Sequence, residues 1–493
     1  MWRTIQLPFK MARFNEFLAR FRRKIKPENN HYPGWLFIFQ TATSHIMYNL
    51  PKIASLEKIL LFGAGKSASV LIDYLLSKSS SHSWKLVIAD ADKKMIESKT
   101  NHHPNSEAVG LDITDDEKRR ELISTASIVI SMMPPSLHIL VAKDCIQFGK
   151  NLLTASYADN EILSLQQQVK DKGILFLCEM GLDPGIDHMS AMQLLDEIKE
   201  TGGTVSSFKS HCGGLIAPES DDNPWHYKIT WNPRNIVLAG KAGAVYRQDG
   251  KEVTEKYEDL FDANRNVLTG DNEVPALSYY PNRNSLPYIE LYGLEKARTF
   301  IRTTLRYPDF MIGWKKIISL KLTDETAVYD TDGKSFAAFF SEHFSKWGID
   351  IDSTLHGIEK TQLQFLGLED KETTIDKGLC SAADVLQLLL EKKLCLRPSD
   401  KDMIVMLHEI EYLANDGTAH SIHSSLLVKG DDHIHTAMAK TVGLPLGIAA
   451  KLILEKKIQL TGIHIPVIKE IYTPLLTELS AHGITFHEAR KSA

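Results

Sequence analysis

The sequence has little cysteine and pairs none of it. Its five cysteines, Cys145, Cys178, Cys212, Cys380 and Cys395, show no C-x-x-C spacing. That removes zinc-ribbon and disulfide-scaffold readings and points to a reducing, cytoplasmic setting. No uninterrupted run of 18 apolar residues occurs, so no membrane span is expected. Basic residues are not in excess: 57 Lys and Arg stand against 62 Asp and Glu, a formal net charge of -5. A general nucleic-acid binder needs the opposite balance. Repeats and low-complexity tracts are missing as well, which excludes solenoids. His211, His226, His433 and His435 do not form a metal-ligand cluster, and no metal is expected. What remains is a 493-residue chain, 43% hydrophobic and 24% charged. Such a chain has material for about two to four cored domains.

Charge is uneven only at the start. Met1–Lys26 carries Arg3, Lys10, Arg13, Arg20, Arg22, Arg23, Lys24 and Lys26 against Glu16, with a weak helical stripe of Phe14, Phe17, Leu18 and Phe21. A presequence, a surface-binding amphipathic helix and an unstructured upstream extension all fit this pattern. Residues 1–55 are therefore set apart as an N-terminal extension with little expected structure.

Ile59–Phe62 reads as a buried parallel strand. It is followed by Gly63-Ala64-Gly65-Lys66-Ser67-Ala68 and a helical stretch from Val70 to Leu76. Lys85–Ala89, Ile128–Met132, Asn151–Ala155 and Ile174–Cys178 repeat the strand pattern, with helical stretches between. Alternating strand and helix predicts a doubly wound parallel sheet. After Gly181 the chain turns to extended, aromatic, glycine-punctuated segments that suit a mixed, largely antiparallel sheet. Residues 310–400 read as helical, with Ser381 capping an apolar-periodic helix to Leu394. Met403–Val428 reads as a hairpin turning at Asn415-Asp416-Gly417.

A lone G-x-G-x-x-G is weak evidence, but here it leaves a strand and opens a helix, where its geometry matters. Gly63 permits the tight turn, Gly65 lets a pyrophosphate approach the backbone, and Ala68 is small enough for helix-on-strand packing. The helix N-terminus then offers free N–H groups to the phosphates. Asp90, at the end of the second strand, can bond a ribose 2′-hydroxyl and repel a 2′-phosphate, so NAD is expected over NADP. Lys66, Ser67 and Met133 are further candidate cofactor contacts.

Several blocks are specific in combination: Ser156-Tyr157, the Glu179–His188 segment with Leu182-Asp183-Pro184-Gly185, Cys212–Glu219, Asn223–Trp231, Tyr280–Arg283, Thr304–Tyr307 and Ala437–Pro445. In them the chain from about residue 57 onward resembles the glutamate-forming saccharopine dehydrogenases. The resemblance implies three parts. A Rossmann domain (56–180 and 436–493) is completed by C-terminal segments. A mixed α/β domain (181–309 and 401–435) binds substrate and makes a homodimer. A small all-helical domain (310–400) is inserted. It also implies a reaction of lysine metabolism, degradation being the expected direction: saccharopine, NAD(P)⁺ and water give L-glutamate and 2-aminoadipate 6-semialdehyde. Ser156, Tyr157, Asp183, Trp231, Arg283, Thr304, Leu305 and Arg306 then match substrate contacts. Asp112, Ile113, Leu182, Asp183 and Pro184 match stretches bordering the dinucleotide.

The residues make chemical sense of that reaction. Saccharopine carries three carboxylates, and Arg283 and Arg306 offer guanidinium forks that bind carboxylate bidentately. The amine must be deprotonated, water activated and the leaving amine protonated. Candidate proton handlers are Asp183, Tyr157, Cys212, His211 and Lys228, with Asp183 first because its loop follows a predicted strand. Plainer readings stand beside these: Cys212 as a small buried residue, His188 as a structural histidine, Trp231 as core, Arg283 as a surface charge. Two other functions compete. One is a carboxynorspermidine- or homospermidine-type dehydrogenase, whose cationic substrate the paired arginines oppose. The other is a non-catalytic relative acting through its basic N-terminus.

Overall fold

The computed structural model describes residues 56–270 and 273–492; the basic segment and the rest of the expected 1–55 extension lie outside them. Seven parallel strands form the first sheet. In chain order the first six are β1 (Glu57–Phe62), β2 (Trp84–Asp90), β3 (Ser106–Gly110), β4 (Ile128–Ser131), β5 (Asn151–Thr154) and β6 (Leu175–Leu177). The seventh is Gly462–His464, and the order across the sheet is Gly462–His464, β6, β5, β4, β1, β2, β3. Ile59, Leu60, Leu61 and Phe62 are fully buried, because a central parallel strand has both faces covered by helices. The strand order reverses between β1 and β4. In an open α/β sheet that reversal leaves a crevice at the strand C-terminal ends. The edge strand β3 was not visible in the sequence: Ser-Glu-Ala-Val-Gly is half-exposed and carries little apolar signal.

The chain returns to this domain late. Helix Ala437–Leu454 lies against α1 (Ser69–His82). Gly443 and Gly447 make the fit: a Cβ on them would stand 2.8 Å from Leu71 N and 2.6 Å from Tyr74 Cδ1. This helix, with mean hydropathy 1.5, is long and apolar enough to cross a membrane, although Lys440 and Lys451 keep it from being an unbroken apolar run. Here 67% of it is buried inside the fold.

The second sheet is mixed and has ten strands. Its long central strand β7 (Thr204–Ile216) runs parallel to Thr299–Arg306 on one side and antiparallel to Asp402–Leu413 on the other. Asp402–Leu413 and Ala419–Lys429 form the expected hairpin, with Gly417 at φ +84. The last strand, His487–Ser492, pairs with Ala419–Lys429. The expectation that 436–493 stays wholly with the Rossmann sheet therefore fails at its end, where the free edge of the hairpin supplies hydrogen-bonding partners. Helix Ile186–Glu200 covers one face of the mixed sheet, and its apolar side merges with Tyr288, Tyr292, Phe208 and Phe300 into the core shared with α1. Residues 308–393 form five helices around Trp225, Trp314 and Phe310, plus a short ribbon, Tyr329–Asp330 with Leu379–Cys380. Ser381 caps its helix with a reciprocal Asp384 contact, as its position suggested.

Candidate active site

The glycine turn sits at the mouth of the crevice. Gly63 has φ +93, and a Cβ there would meet the Met132 carbonyl oxygen at 2.9 Å. Its N–H donates to Ala89 O at 2.9 Å, tying the turn to β2. A Cβ on Gly65 would meet nothing within 4 Å, so the bare backbone there borders open space of the kind a pyrophosphate needs. Lys66 is exposed and Ser67 half-buried beside it. Asp90 ends β2 beside the turn. Its carboxylate accepts from Ala64 N–H at 2.8 Å and from Asp92 N–H at 3.0 Å, so it braces the turn. Asp112 is exposed and bonded to Thr114; Ile113 and Met133 pack into the core between β1 and the neighbouring helices. Sequence reasoning missed Lys99. Its ammonium donates to Gly65 O at 2.7 Å and to Ser69 Oγ at 2.8 Å.

Across the crevice, the loop after β6 closes on itself. Gly181 N–H donates to Pro184 O at 3.0 Å, Asp183-Pro184 is a cis peptide and Leu182 is buried. This presents the Asp183 carboxylate to Arg302 Nη2 at 2.6 Å and to the Tyr157 hydroxyl at 3.2 Å. The same Arg302 nitrogen donates to Asp187 at 2.7 Å, and its guanidinium lies 4.4 Å from the Tyr288 ring centroid. Two buried carboxylates thus share one arginine. Burial raises the Asp183 carboxyl above its ordinary range, Arg302 opposing and Asp187 adding to the rise. Burial presses on Asp187 too, but His188, Arg302 and the Gly185 N–H hold it low. The pair is split into one carboxylate that keeps its charge and one that takes up a proton readily, the arrangement expected of an acid–base site. Tyr157 and Cys212 are both pushed well up by burial and by Asp183. Cys212 is therefore a neutral thiol beside the acids.

Arg302 was not among the sequence candidates, although period-two alternation supplies the signal. On Thr299–Arg306, Arg302, Thr304 and Arg306 share one face. Leu305 faces the other way, fully buried with Leu215 and Val405, so its side chain is removed from the site. Arg306 is 5% exposed. Its Nη1 donates to Leu305 O at 2.9 Å and Gly214 O at 3.4 Å, its Nε has no partner, and the Tyr227 and Phe310 rings lie 5.3 and 5.4 Å away. No carboxylate among the described residues pairs with it. Arg283 is exposed at φ +54 and stands 5.3 Å from the Tyr157 ring. Trp231 is half-buried and donates to the Tyr227 hydroxyl at 3.3 Å, at the edge of the same aromatic wall.

Two proton-handling candidates are committed elsewhere. Lys228 is buried between Asp400 at 2.7 Å and Asp222 at 2.9 Å. His211 bonds Thr303 at 2.7 Å and Glu409 at 3.0 Å. His188 is held by Tyr292 and Glu179, as its structural reading supposed. A second histidine was missed: His138 joins Ser131 Oγ and Ser156 Oγ, each at 2.8 Å, linking the ends of β4 and β5 to Ser156. Burial lowers it to about 4, so it is a neutral imidazole that fixes the Ser156 hydroxyl. No group of three or more His, Cys, Asp or Glu among the described residues could hold a metal ion.

A Rossmann sheet with a bare glycine turn, its last loop tied through two acids to an arginine of a mixed sheet, defines a two-domain dinucleotide-binding fold. Residues 59–177 match the family model described as the saccharopine dehydrogenase NADP binding domain, and residues 181–484 the saccharopine dehydrogenase C-terminal domain. The chain belongs to the saccharopine dehydrogenase family. It is 31% identical to the Saccharomyces cerevisiae saccharopine dehydrogenase (NADP⁺, L-glutamate-forming), over 88% of this chain and 99% of that one. It is 35% identical to the Bos taurus mitochondrial alpha-aminoadipic semialdehyde synthase, over 87% of this chain and 47% of that one. The chain spans about half the length of the first curated relatives it matches. The solved apo saccharopine dehydrogenase of S. cerevisiae superposes with a TM-score of 0.78 at 29% identity, covering 88% of this chain and all of that one. A Legionella pneumophila homospermidine synthase shares the fold alone, at TM-score 0.51 and 10% identity over 88% of this chain and 91% of that one. The expectation of NAD over NADP runs against the relatives' names, which specify NADP⁺.

Proposed function

We propose that the chain is a glutamate-forming saccharopine dehydrogenase. It cleaves saccharopine oxidatively with NAD⁺ or NADP⁺ and water, giving L-glutamate and 2-aminoadipate 6-semialdehyde. The observation that carries this reading is Arg306, a buried guanidinium with no acid of its own, on the strand face it shares with Arg302, which two acids hold. A buried charge without a partner is unfavourable by several kcal/mol in general, so the site asks for an anion from outside. Saccharopine brings three carboxylates; a polyamine imine brings cations, which Arg306 repels.

Bound across Gly65, the dinucleotide supplies the hydride acceptor. The chain's residues do the rest. Arg306 and Arg283 take substrate carboxylates and fix the secondary amine against Asp183. Asp183, in its carboxylate form, removes the amine proton as hydride leaves the adjacent carbon. It then serves the water that attacks the resulting imine and the amine that departs as glutamate. Arg302 and the Tyr157 hydroxyl hold Asp183 in place, and Ser156, fixed by His138, offers a further polar contact. We propose a homodimer as the working form.

The test is absorbance at 340 nm with purified chain, saccharopine and each of NAD⁺ and NADP⁺. Reduction with either supports the reaction, and the ratio of the two rates measures cofactor choice. Protein that binds NADH yet reduces neither dinucleotide with saccharopine would overturn the proposal.

A further inference from the structure

We propose that Lys99 is a positioning residue of the dinucleotide site, its ammonium fixing the Gly65–Lys66 peptide so that the Lys66 N–H faces the pyrophosphate. The argument begins with peptide geometry. A trans peptide is planar, and its C=O and N–H point in opposite directions. The Gly65 carbonyl accepts from Lys99 Nζ at 2.7 Å and from Ala68 N–H at 3.1 Å. Anchoring that oxygen fixes the direction of the Lys66 N–H across the same plane, next to the bare Gly65, where a Cβ would meet nothing within 4 Å. Lys99 also donates to Ser69 Oγ at 2.8 Å, and Ser69 Oγ donates to Lys66 O at 3.3 Å. One ammonium therefore holds both carbonyls of the turn, directly or through a single hydroxyl.

Lys99 makes these contacts instead of an ion pair. Asp90, from the end of β2, and Asp73, from α1, act on it only through space. Burial lowers the ammonium to about 8, with those two carboxylates opposing. The clamp is fully charged below that pH; as pH rises through it the amine can still donate its hydrogen bonds but no longer brings a positive charge to the turn. The added positive charge also favours the phosphates that the turn would bind.

The inference rests on the dinucleotide reading of the glycine turn, not on the amine substrate. The test is fluorescence titration of the full chain with NADH and with NADPH, without saccharopine. Lys99→Met should weaken both dinucleotides about tenfold with their ratio unchanged, and Lys99→Arg should recover most of the loss. Wild-type affinity should fall between pH 7 and 9, with a shallower fall in Lys99→Met. Affinities within twofold of wild type would overturn the proposal, since Lys99 would then only pack its helix. A loss confined to NADPH would overturn it too, because Lys99 would then read a 2′-phosphate. If Lys99→Met does not fold, the same titration of Lys99→Ala decides, and affinities within twofold of wild type again overturn the proposal. A chain that binds NADH but leaves saccharopine untouched removes the proposed reaction and leaves Lys99 standing.

Discussion

Replacing Arg306 by methionine separates a ligand-binding arginine from a structural one. The side chain is 5% exposed, walled by Tyr227 and Phe310, and donates to two carbonyl oxygens without meeting a carboxylate. Methionine fills much of the same volume and removes the buried charge. The protein loses two bonds to neutral acceptors, each about 0.5–1.5 kcal/mol, and is relieved of a charge without a counter-ion. The melting temperature should stay within a few degrees of wild type or rise. Binding of saccharopine loses a bidentate, charge-assisted contact. At about 1.5–3 kcal/mol for each of its two bonds, that is roughly 3–6 kcal/mol. The expected outcome is a kcat/KM for saccharopine lower by about 10² to 10⁴, most of it in KM, with NADH affinity unchanged. Steady-state kinetics at 340 nm and a thermal melt read both quantities on one preparation. A large fall in melting temperature with KM unchanged would refute the reasoning, because Arg306 would then be holding Gly214 and Leu305 rather than a substrate.

The neighbouring arginine should behave in the opposite way. Arg302→Met leaves Asp183 and Asp187 buried together, and removing one partner of such a cluster destabilises by about 3–5 kcal/mol, so a urea melt should show a large loss that Arg306→Met does not. Asp183→Asn should lower kcat by about 10² to 10⁴ while NADH still binds; an unchanged kcat would remove Asp183 from the chemistry. Because the folded Asp183 carboxyl is raised, its contribution to stability is complete below the ordinary carboxylate range and is lost as pH climbs through the raised value. The Asn variant should therefore lack that decline, and kcat/KM in wild type should fall as acidification protonates the same group. At the turn, Gly65→Ala should melt like wild type yet bind NADH poorly. Gly63→Ala, at φ +93 and 2.9 Å from Met132 O, should lose stability itself; equal melts would show that the turn has room.

What could be read in advance was local. The strand, glycine turn and helix from Ile59 to Leu76 are contiguous, so their meaning survives without knowledge of the rest of the chain. Ser381 and its cap, and the Asn415–Gly417 turn, were legible for the same reason. What could not be read depends on which chain ends meet. Nothing in His138-Ile-Leu-Val says that Ser131 and Ser156 stand on either side, since those partners come from β4 and the segment after β5. Lys99 sits in the polar run Glu97-Ser-Lys-Thr and looks like any solvated lysine until its helix is laid beside Gly65. Asp90 is the instructive case. Its position was legible and its second task was not: a carboxylate at the tip of the second strand can face a ribose, and here it also accepts from Ala64 and Asp92 and braces the turn. Arg302 lies between. Its partners Asp183 and Asp187 are more than a hundred residues away in sequence, yet once Arg306 is placed on a strand facing the site, a period of two brings Arg302 to the same face and sends Leu305 to the other. The motif Thr-Leu-Arg drew attention to three adjacent residues, and adjacency is the relation a strand divides between its two faces.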